Sequence, residues 1–495
     1  MGNSFWQKPS IRILLGCALA LLSAFFLIMA FPPNPYWPLI FIACIPFLLA
    51  QYRVLPEKWS ALAPALAIGV WIGVYFTKIF GFGGGGALYM RAFPIIIFVI
   101  SFFAERGNRA LHERTNYKWL VLQGVTGWVG FELIRSFIPT LGTWAFVGYP
   151  LYAQLWFIQP LSLIGIFGLD FVIILANFTL VQGCIQFLDK KAIFAGAPAL
   201  DTSLVRRWML VFLVILLVWS GASLLLFNIR SRVGDTITVA AIQHAYPVAA
   251  HMDKETPQTE RLQTLMELSK QAVAEGAQLV VWPELGLGFD PQQQYTDQIV
   301  GLAQETGAYL VVGYSEDVEQ SFRNEATVLN PAGEFLGIYG KAHPVVFGGE
   351  PYGINASTFP VYETSLGKMG TIICYDLNFT DAARKLARQG AQFIAIPSLD
   401  FSGIADVQYT QAVLRAVENR VALIKADVGY DSAIIDPYGQ IIAYTSSQEV
   451  QRTYLMAEVP IGTGNTLYSR LGDWFGWLNL LGLFFFAFFS KKLRG

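Results

Sequence analysis

Four side chains in the second half of the chain are of the types that covalent catalysis uses. Cys374 closes the apolar run TIIC and is followed by Tyr375 and Asp376. Glu284 ends the run VVWPE, Lys341 ends IYGK, and Glu350 follows in FGGEPY. A thiol attacks as the thiolate and needs a base beside it to form one. A fixed ammonium eases that ionisation and can hold the oxyanion of a tetrahedral intermediate. Taken singly, each residue says little. A lone cysteine is more often a packed small hydrophobe than a nucleophile, and Glu and Lys are normally solvated. The information lies in their order: a carboxylate after an early strand, an ammonium after a hairpin, a thiol after a later strand.

The remaining candidates for chemistry are few. Cys17, Cys44 and Cys184 lie in apolar stretches, so Cys374 has no partner for a disulfide in its own part of the chain. Four scattered histidines (His112, His244, His251, His343) show no metal-ligand spacing. No metal and no cofactor is expected. The glycine run at 83–86 reads as a flexible loop, because no Lys-Ser/Thr follows it to bind phosphate.

The elements that position the four residues alternate. Strand-like runs recur at 236–243, 278–284, 308–315, 325–331, 334–341, 368–376, 392–398, 422–428, 432–437 and 440–445. Helical patterns fill 256–276, 292–306, 379–389 and 403–420. Strand–helix alternation predicts an α/β domain. The runs joined by PAG and by YG predict hairpins, hence a mixed sheet. Cys374 and Glu284 then stand at strand ends, where α/β folds expose reactive groups.

The rest of the chain has another character. Of 495 residues, 54% are hydrophobic and only 14% charged, with net charge −1. That excludes a disordered chain, and with no net positive field it argues against a nucleic-acid partner. Apolar runs predict seven membrane spans, at about 11–30, 38–52, 60–80, 92–105, 118–137, 161–188 and 208–228, and a last one at 472–490. Basic residues crowd the segments 8–12, 53–58, 106–118, 190–207 and 491–494, whereas the intervening loops hold Lys78 and Arg91. This bias places the N-terminus and the basic tail inside and residues 231–470 outside the cytoplasm. The division is therefore a membrane domain over 1–230, an outer domain over 231–470, and a C-terminal helix and tail over 471–495. Glu132 and Arg135 share a helix face and could pair, while Asp170 and Asn177 read as polar clamps between helices. The uncharged aromatic segment 136–160 reads as an interfacial belt or as a wall of a lipid site.

The order WPE, GK, CYD resembles the nitrilase superfamily of Glu-Lys-Cys hydrolases and acyltransferases. The segments FPPNPYWPLIFIACIPFLLA and FELIRSF…LGTWAFVGYPLYAQLWFIQPLSLIGIFGLDFVIILANFTL, with the arrangement of spans, are similar to the apolipoprotein N-acyltransferase family over nearly the whole chain. The resemblance implies a polytopic α-helical membrane domain plus an α/β nitrilase-like αββα sandwich. It implies a bacterial cytoplasmic-membrane enzyme with its catalytic domain on the extracytoplasmic side. The reaction it implies is ping-pong acyl transfer from a phospholipid, typically phosphatidylethanolamine, through a cysteine thioester. The acceptor is the α-amine of a diacylglyceryl-cysteine on an apolipoprotein. In that scheme Glu284 is the base, Lys341 the oxyanion cation and Cys374 the nucleophile. Glu350 orients Lys341 or assists proton transfer, and the Tyr375 N–H is a second oxyanion donor. The segment 343–362 would be a mobile lid. The chain departs from the family pattern in two places. Asp376 stands where Glu is usual, and PSLDFSG (397–403) replaces an Asn-Asp-x-Trp-Phe-Gly stretch, with Asp400 as a partial substitute. Glu418, in RAVENR, reads as a structural partner of the lysine or of a backbone turn. Two other readings stand beside this one: a membrane-anchored nitrilase-like amidase, and a non-catalytic lipid- or lipoprotein-binding scaffold.

Overall fold

The computed structural model describes residues 8–494 apart from 81–86, 192–198, 229–234, 320, 347–348, 352–357 and 447–448. The glycine run at 83–86 and much of the expected lid therefore lie outside the described residues.

The first part is helical. Its long helices are α1 (Pro9–Ala30), α2 (Leu62–Phe80), α3 (Ala87–Glu105), α4 (Leu120–Ser136), α5 (Leu161–Lys190) and α6 (Thr202–Asn228). Five described segments are long and apolar enough to cross a membrane: Pro9–Ala30, Trp37–Val54, Glu57–Ile79, Leu161–Lys190 and Thr202–Asn228. The segment Trp37–Val54 is broken into a 3-10 turn, a short helix at Ile45–Leu49 and a π-turn. Pro38 and Pro46 remove backbone donors there. Asn177 of α5 fills the gap: its Oδ1 accepts from the Cys44 N–H (2.9 Å) and its Nδ2 donates to the Ile40 carbonyl (2.9 Å). An irregular backbone at membrane depth needs such internal partners. The clamp expected of Asn177 is thus present. Arg135 Nη2 lies 3.8 Å from Glu132 Oε1 on α4, so that pairing is present too.

The second part of the chain holds two six-stranded sheets. Its strands are β1 (Thr236–Gln243), β2 (Leu279–Val281), β3 (Tyr309–Val318), β4 (Ser321–Leu329), β5 (Phe335–Gly340), β6 (Val361–Thr364), β7 (Gly367–Thr371), β8 (Phe393–Pro397), β9 (Ala422–Ala426), β10 (Ala433–Ile435), β11 (Ile441–Tyr444) and β12 (Thr453–Pro460). One sheet runs β12-β1-β2-β3-β4-β5 and the other β11-β10-β9-β8-β7-β6. Each has three parallel strands at its centre, one antiparallel neighbour on one side and two on the other. The two expected hairpins are β4–β5 and β10–β11. β6 and β12 were not foreseen. β6 has only four residues, the first two of them at the end of the expected lid, and β12 is an edge strand whose half-buried faces give weak alternation.

Alternation along the strands sets the layers. Val239, Ala241, Val281 and Val311 point between the sheets. Ala240, Ile242, Val280 and Leu310 point outward onto Leu262 and Leu265 of α7 (Gln258–Ala274) and Ile299 and Leu302 of α8 (Thr296–Thr306). Helices α9 (Ala382–Arg388) and α10 (Gln408–Asn419) cover the second sheet, which completes an αββα stack. Every residue of α10 is buried despite its polar sequence, because its other side rests on α5. Glu418 of α10 accepts from the Ile166 N–H (2.9 Å), a helix-start donor just after Gly165. It also pairs with buried Arg415. Its partner is thus a backbone turn, not the lysine. Gly165 has φ +68, and a Cβ there would lie 2.3 Å from the Tyr468 ring, so only glycine permits the kink.

In the aromatic segment 136–160, Phe137, Ile138 and Trp156 are exposed. Trp144, Phe146, Tyr149 and Leu151 are buried between the two halves. The Thr143 N–H donates to the Asn378 carbonyl (2.8 Å), four residues past Cys374. The last helix, α11 (Trp474–Arg494), packs on α4.

Candidate active site

The ends of strands from both sheets converge. Glu284 follows β2, Lys341 follows β5, Cys374 follows β7 and Asp400 follows β8. Gly313 of β3 lets the Glu284 loop approach: a Cβ there would stand 2.3 Å from the Pro283 carbonyl oxygen and 3.0 Å from Glu284 Cα. The Glu284 N–H donates to the Ser398 carbonyl (3.3 Å), which ties one sheet to the other.

Lys341 is the centre of a buried network. Its Nζ donates to Glu284 Oε1 (2.7 Å) and to Glu350 Oε1 (2.8 Å). Asn324 of β4 also donates to both, at 2.6 and 3.1 Å. The Leu399 N–H donates to Glu284 Oε2 (2.8 Å), and the Val345 N–H to Glu350 Oε2 (2.8 Å). Only 1% of the Lys341 side chain and 2% of that of Glu284 are exposed. Burial works against the charge on Lys341, but Glu284, Glu350 and then Cys374 outweigh it and hold its pKa well above the ordinary lysine value. Burial raises the carboxyl of Glu284, with Lys341 opposing and Glu350 reinforcing.

Cys374 opens a 3-10 turn, Cys374–Asn378, rather than ending the strand. Its φ is +42, a left-handed value that is costly for a side-chain-bearing residue and is held here by the surroundings. Asp376 supplies part of that hold. Its Oδ2 accepts from Tyr339 Oη (2.7 Å) and the Ile373 N–H (2.9 Å), and its Oδ1 from the His343 N–H (2.8 Å). Asp376 therefore shapes the turn. Tyr375 is the second residue of the turn, its ring edge-on to Phe379 at 5.3 Å. Burial pushes the Cys374 thiol well above its usual pKa; Glu284 and Asp400 add to the rise and Lys341 opposes it.

The structure thus brings Glu284, Lys341, Glu350 and Cys374 together. Asn324 was not foreseen. Its only signal in the sequence is a polar side chain entering a strand that becomes buried, in RNEATVL. Lys425, Asp427 and Asp431, which surround Asp400, were also missed.

A two-sheet α/β sandwich with these groups at its strand ends defines a carbon-nitrogen hydrolase domain, and that family matches residues 238–466. The apolipoprotein N-acyltransferase N-terminal domain matches residues 23–179. The apolipoprotein N-acyltransferase of Geobacter metallireducens is 30% identical over 94% of this chain and 93% of its own. The chain belongs to the apolipoprotein N-acyltransferase family. A nitrilase of Pyrococcus abyssi is 32% identical over 37% of this chain and 78% of its own. Among solved structures, an amidase from Nesterenkonia sp. is 23% identical, covering 45% of this chain and 90% of that one with a TM-score of 0.37.

Proposed function

We propose that the chain moves a fatty acyl group from a membrane phospholipid, phosphatidylethanolamine foremost, to the N-terminal α-amine of a diacylated apolipoprotein. The observation that carries this reading is the buried Lys341, held by two carboxylates, at the same site as a cysteine with left-handed backbone. Family membership over nearly the whole chain supports the substrate class.

In the first step Glu284 takes the Cys374 proton as Sγ attacks the donor ester carbonyl. The Lys341 ammonium and the Tyr375 N–H hold the oxyanion. The intermediate collapses: the C–O bond breaks, the alkoxide of the lysophospholipid takes the proton from Glu284, and a thioester remains. In the second step the acceptor amine attacks the thioester carbonyl and gives its proton to Glu284. The C–S bond breaks, an amide forms, and the sulfur recovers the proton. Glu350 keeps Lys341 in place and Asp376 keeps the turn in shape. The domains act as a membrane part over 1–230, an outer catalytic part over 231–470 and a closing helix over 471–495. The distribution of basic residues supports a catalytic domain outside the cytoplasmic membrane.

The test is intact mass of the full-length protein in detergent, first with phospholipid and then with a diacylated lipopeptide. The reading expects an acyl-sized gain that is absent in Cys374→Ala and is lost as the lipopeptide amine becomes acylated. Release of free fatty acid to water with no lipopeptide product would instead make the protein a hydrolase.

A further inference from the structure

A second charged group lies beside the Cys374 sulfur. Cys374 Sγ donates to Asp400 Oδ1 at 3.4 Å. The same oxygen accepts from Ser398 Oγ at 3.2 Å. Asp400 Oδ2 lies 2.7 Å from Lys425 Nζ, and the Asp400 N–H donates to Asp427 Oδ1 at 2.7 Å. Lys425 Nζ also reaches the Asp431 carbonyl at 2.9 Å and its Oδ1 at 2.5 Å. Asp427 Oδ2 accepts the N–H groups of Gly429 (2.9 Å), Tyr430 (2.6 Å) and Asp431 (3.3 Å). Asp400, Lys425, Asp427 and Asp431 are all fully buried.

A bridge between β8 and β9 does not need charges. Apolar side chains of similar volume usually serve as well, because taking ions from water is costly. What distinguishes this bridge is that one carboxylate oxygen is turned to the reacting sulfur. Meanwhile the oxygens of Glu284 are engaged by Lys341, Asn324 and the Leu399 N–H.

We propose that Asp400, fixed by Lys425, is a positioning residue for the nucleophile: it accepts the S–H of Cys374 and keeps the resting sulfur protonated until the proton leaves for Glu284. The inference rests on Cys374 being the nucleophile of the proposed function. The groups facing the sulfur are Glu284 and Lys341, with Glu350 behind them, from the first sheet, and Asp400, with Lys425, Asp427 and Asp431 behind it, from the second. Burial works against the Asp400 charge, but Lys425 together with the hydrogen bonds from Asp431, Lys425 and Cys374 holds its pKa below the ordinary carboxylate value, so Asp400 is a hydrogen-bond acceptor and not the resting place of the proton. An anion beside sulfur disfavours the thiolate. The thiolate that does form is the stronger nucleophile, since nucleophilicity falls with thiol pKa. That suits attack on an ester whose leaving group is a poor one.

The test is iodoacetamide alkylation of Cys374 in the full-length protein, followed by peptide mass across a pH series. Peptide mapping separates Cys374 from Cys17, Cys44 and Cys184. Asp400→Asn removes the charge and leaves Lys425 paired with Asp431; its alkylation midpoint should fall by about one pH unit. Ser398→Ala removes the competing donor on Oδ1 and spares the ion pair; its midpoint should rise. A folded Asp400→Asn protein with an unmoved midpoint overturns the proposal. If that variant does not fold, an unmoved Ser398→Ala midpoint does so. Alkylation reads the thiol whatever the enzyme acylates. A wild type that forms no thioester while Asp400→Asn still shifts the midpoint would overturn the proposed function and leave this inference standing.

Discussion

Replacing Lys341 by methionine removes a cation that Glu284 and Glu350 share. Its Nζ lies 2.7 Å from one carboxylate and 2.8 Å from the other. The two oxygens are therefore within about 5.5 Å of each other, where two charges at an effective dielectric of ~20 repel by roughly 3 kcal/mol. Without the ammonium they do not both stay ionised, and one takes up a proton at neutral pH. Loss of the oxyanion donor alone removes about 3–4 kcal/mol of transition-state stabilisation, and a protonated Glu284 is no longer a base. Thioester formation should fall by at least ~10³-fold in an intact-mass time course with phospholipid. Breaking a buried pair from one side costs about 3–5 kcal/mol of stability. That deficit has a definite pH dependence. In the variant the folded carboxyl has a pKa further above its unfolded value, so the folded state binds the extra proton. The stability gap to the wild type then narrows as pH falls from neutral toward ~5. Thermal unfolding at a series of pH values reads it. Thioester formation at near wild-type rate, or a gap that is constant across this range, would refute the reasoning.

Other expectations follow from the same geometry. Gly313→Ala pushes on Pro283 and Glu284 and should cost about 1–3 kcal/mol along with activity, whereas Gly301→Ala, with open space at its helical site, should be neutral or stabilising by up to ~1 kcal/mol; equal unfolding midpoints for the two would count against the close approach. Glu418→Ala strands buried Arg415 and the Ile166 N–H, so stability should drop by about 3–5 kcal/mol while Cys374 alkylation in the remaining folded protein is unchanged; a variant as stable as wild type would show that this junction does not hold the halves together. His244 is buried, its Nδ1 accepts from the Tyr246 N–H (3.0 Å), and burial, with Arg261, lowers its pKa to about 3. The unfolded chain binds a proton there below pH ~6.5 that the fold excludes, so stability should decline by about 1.4 kcal/mol per pH unit as pH falls below that point. His244→Gln should remove this share of the decline in denaturant titrations at pH 7 and 5, and identical slopes would contradict it.

Much of the molecule is written locally. Strand–helix alternation, hairpin turns and apolar runs depend on neighbours within a few residues, so the α/β character and the apolar helices could be read directly. The positions of Glu284, Lys341 and Cys374 at the ends of apolar runs could be read in the same way. Other features needed partners far along the chain. Trp37–Val54 is a broken segment that is completed by Asn177, and α10 is a polar helix that is buried only because α5 lies on it. The segment 136–160 carries no charge, which suits lipid contact as well as burial; the Thr143–Asn378 contact accompanies burial of its middle, while Phe137, Ile138 and Trp156 stay exposed. β12 is half-buried on both faces, so its pairing with β1 leaves little trace in its pattern. In the site, residue types are a local property but hydrogen-bond partners are not. Asn324 acquires its role because β4 sits between β3 and β5, and Asp400 because β7, β8 and β9 end side by side. The sequence alone determined which side chains could do chemistry and which elements carry them. Only the tertiary structure decided that Asp376 shapes a turn, that Glu418 fastens the domain to α5, and that Cys374 lies beside two charged clusters. Those outcomes depend on distances between strands that are far apart in the chain.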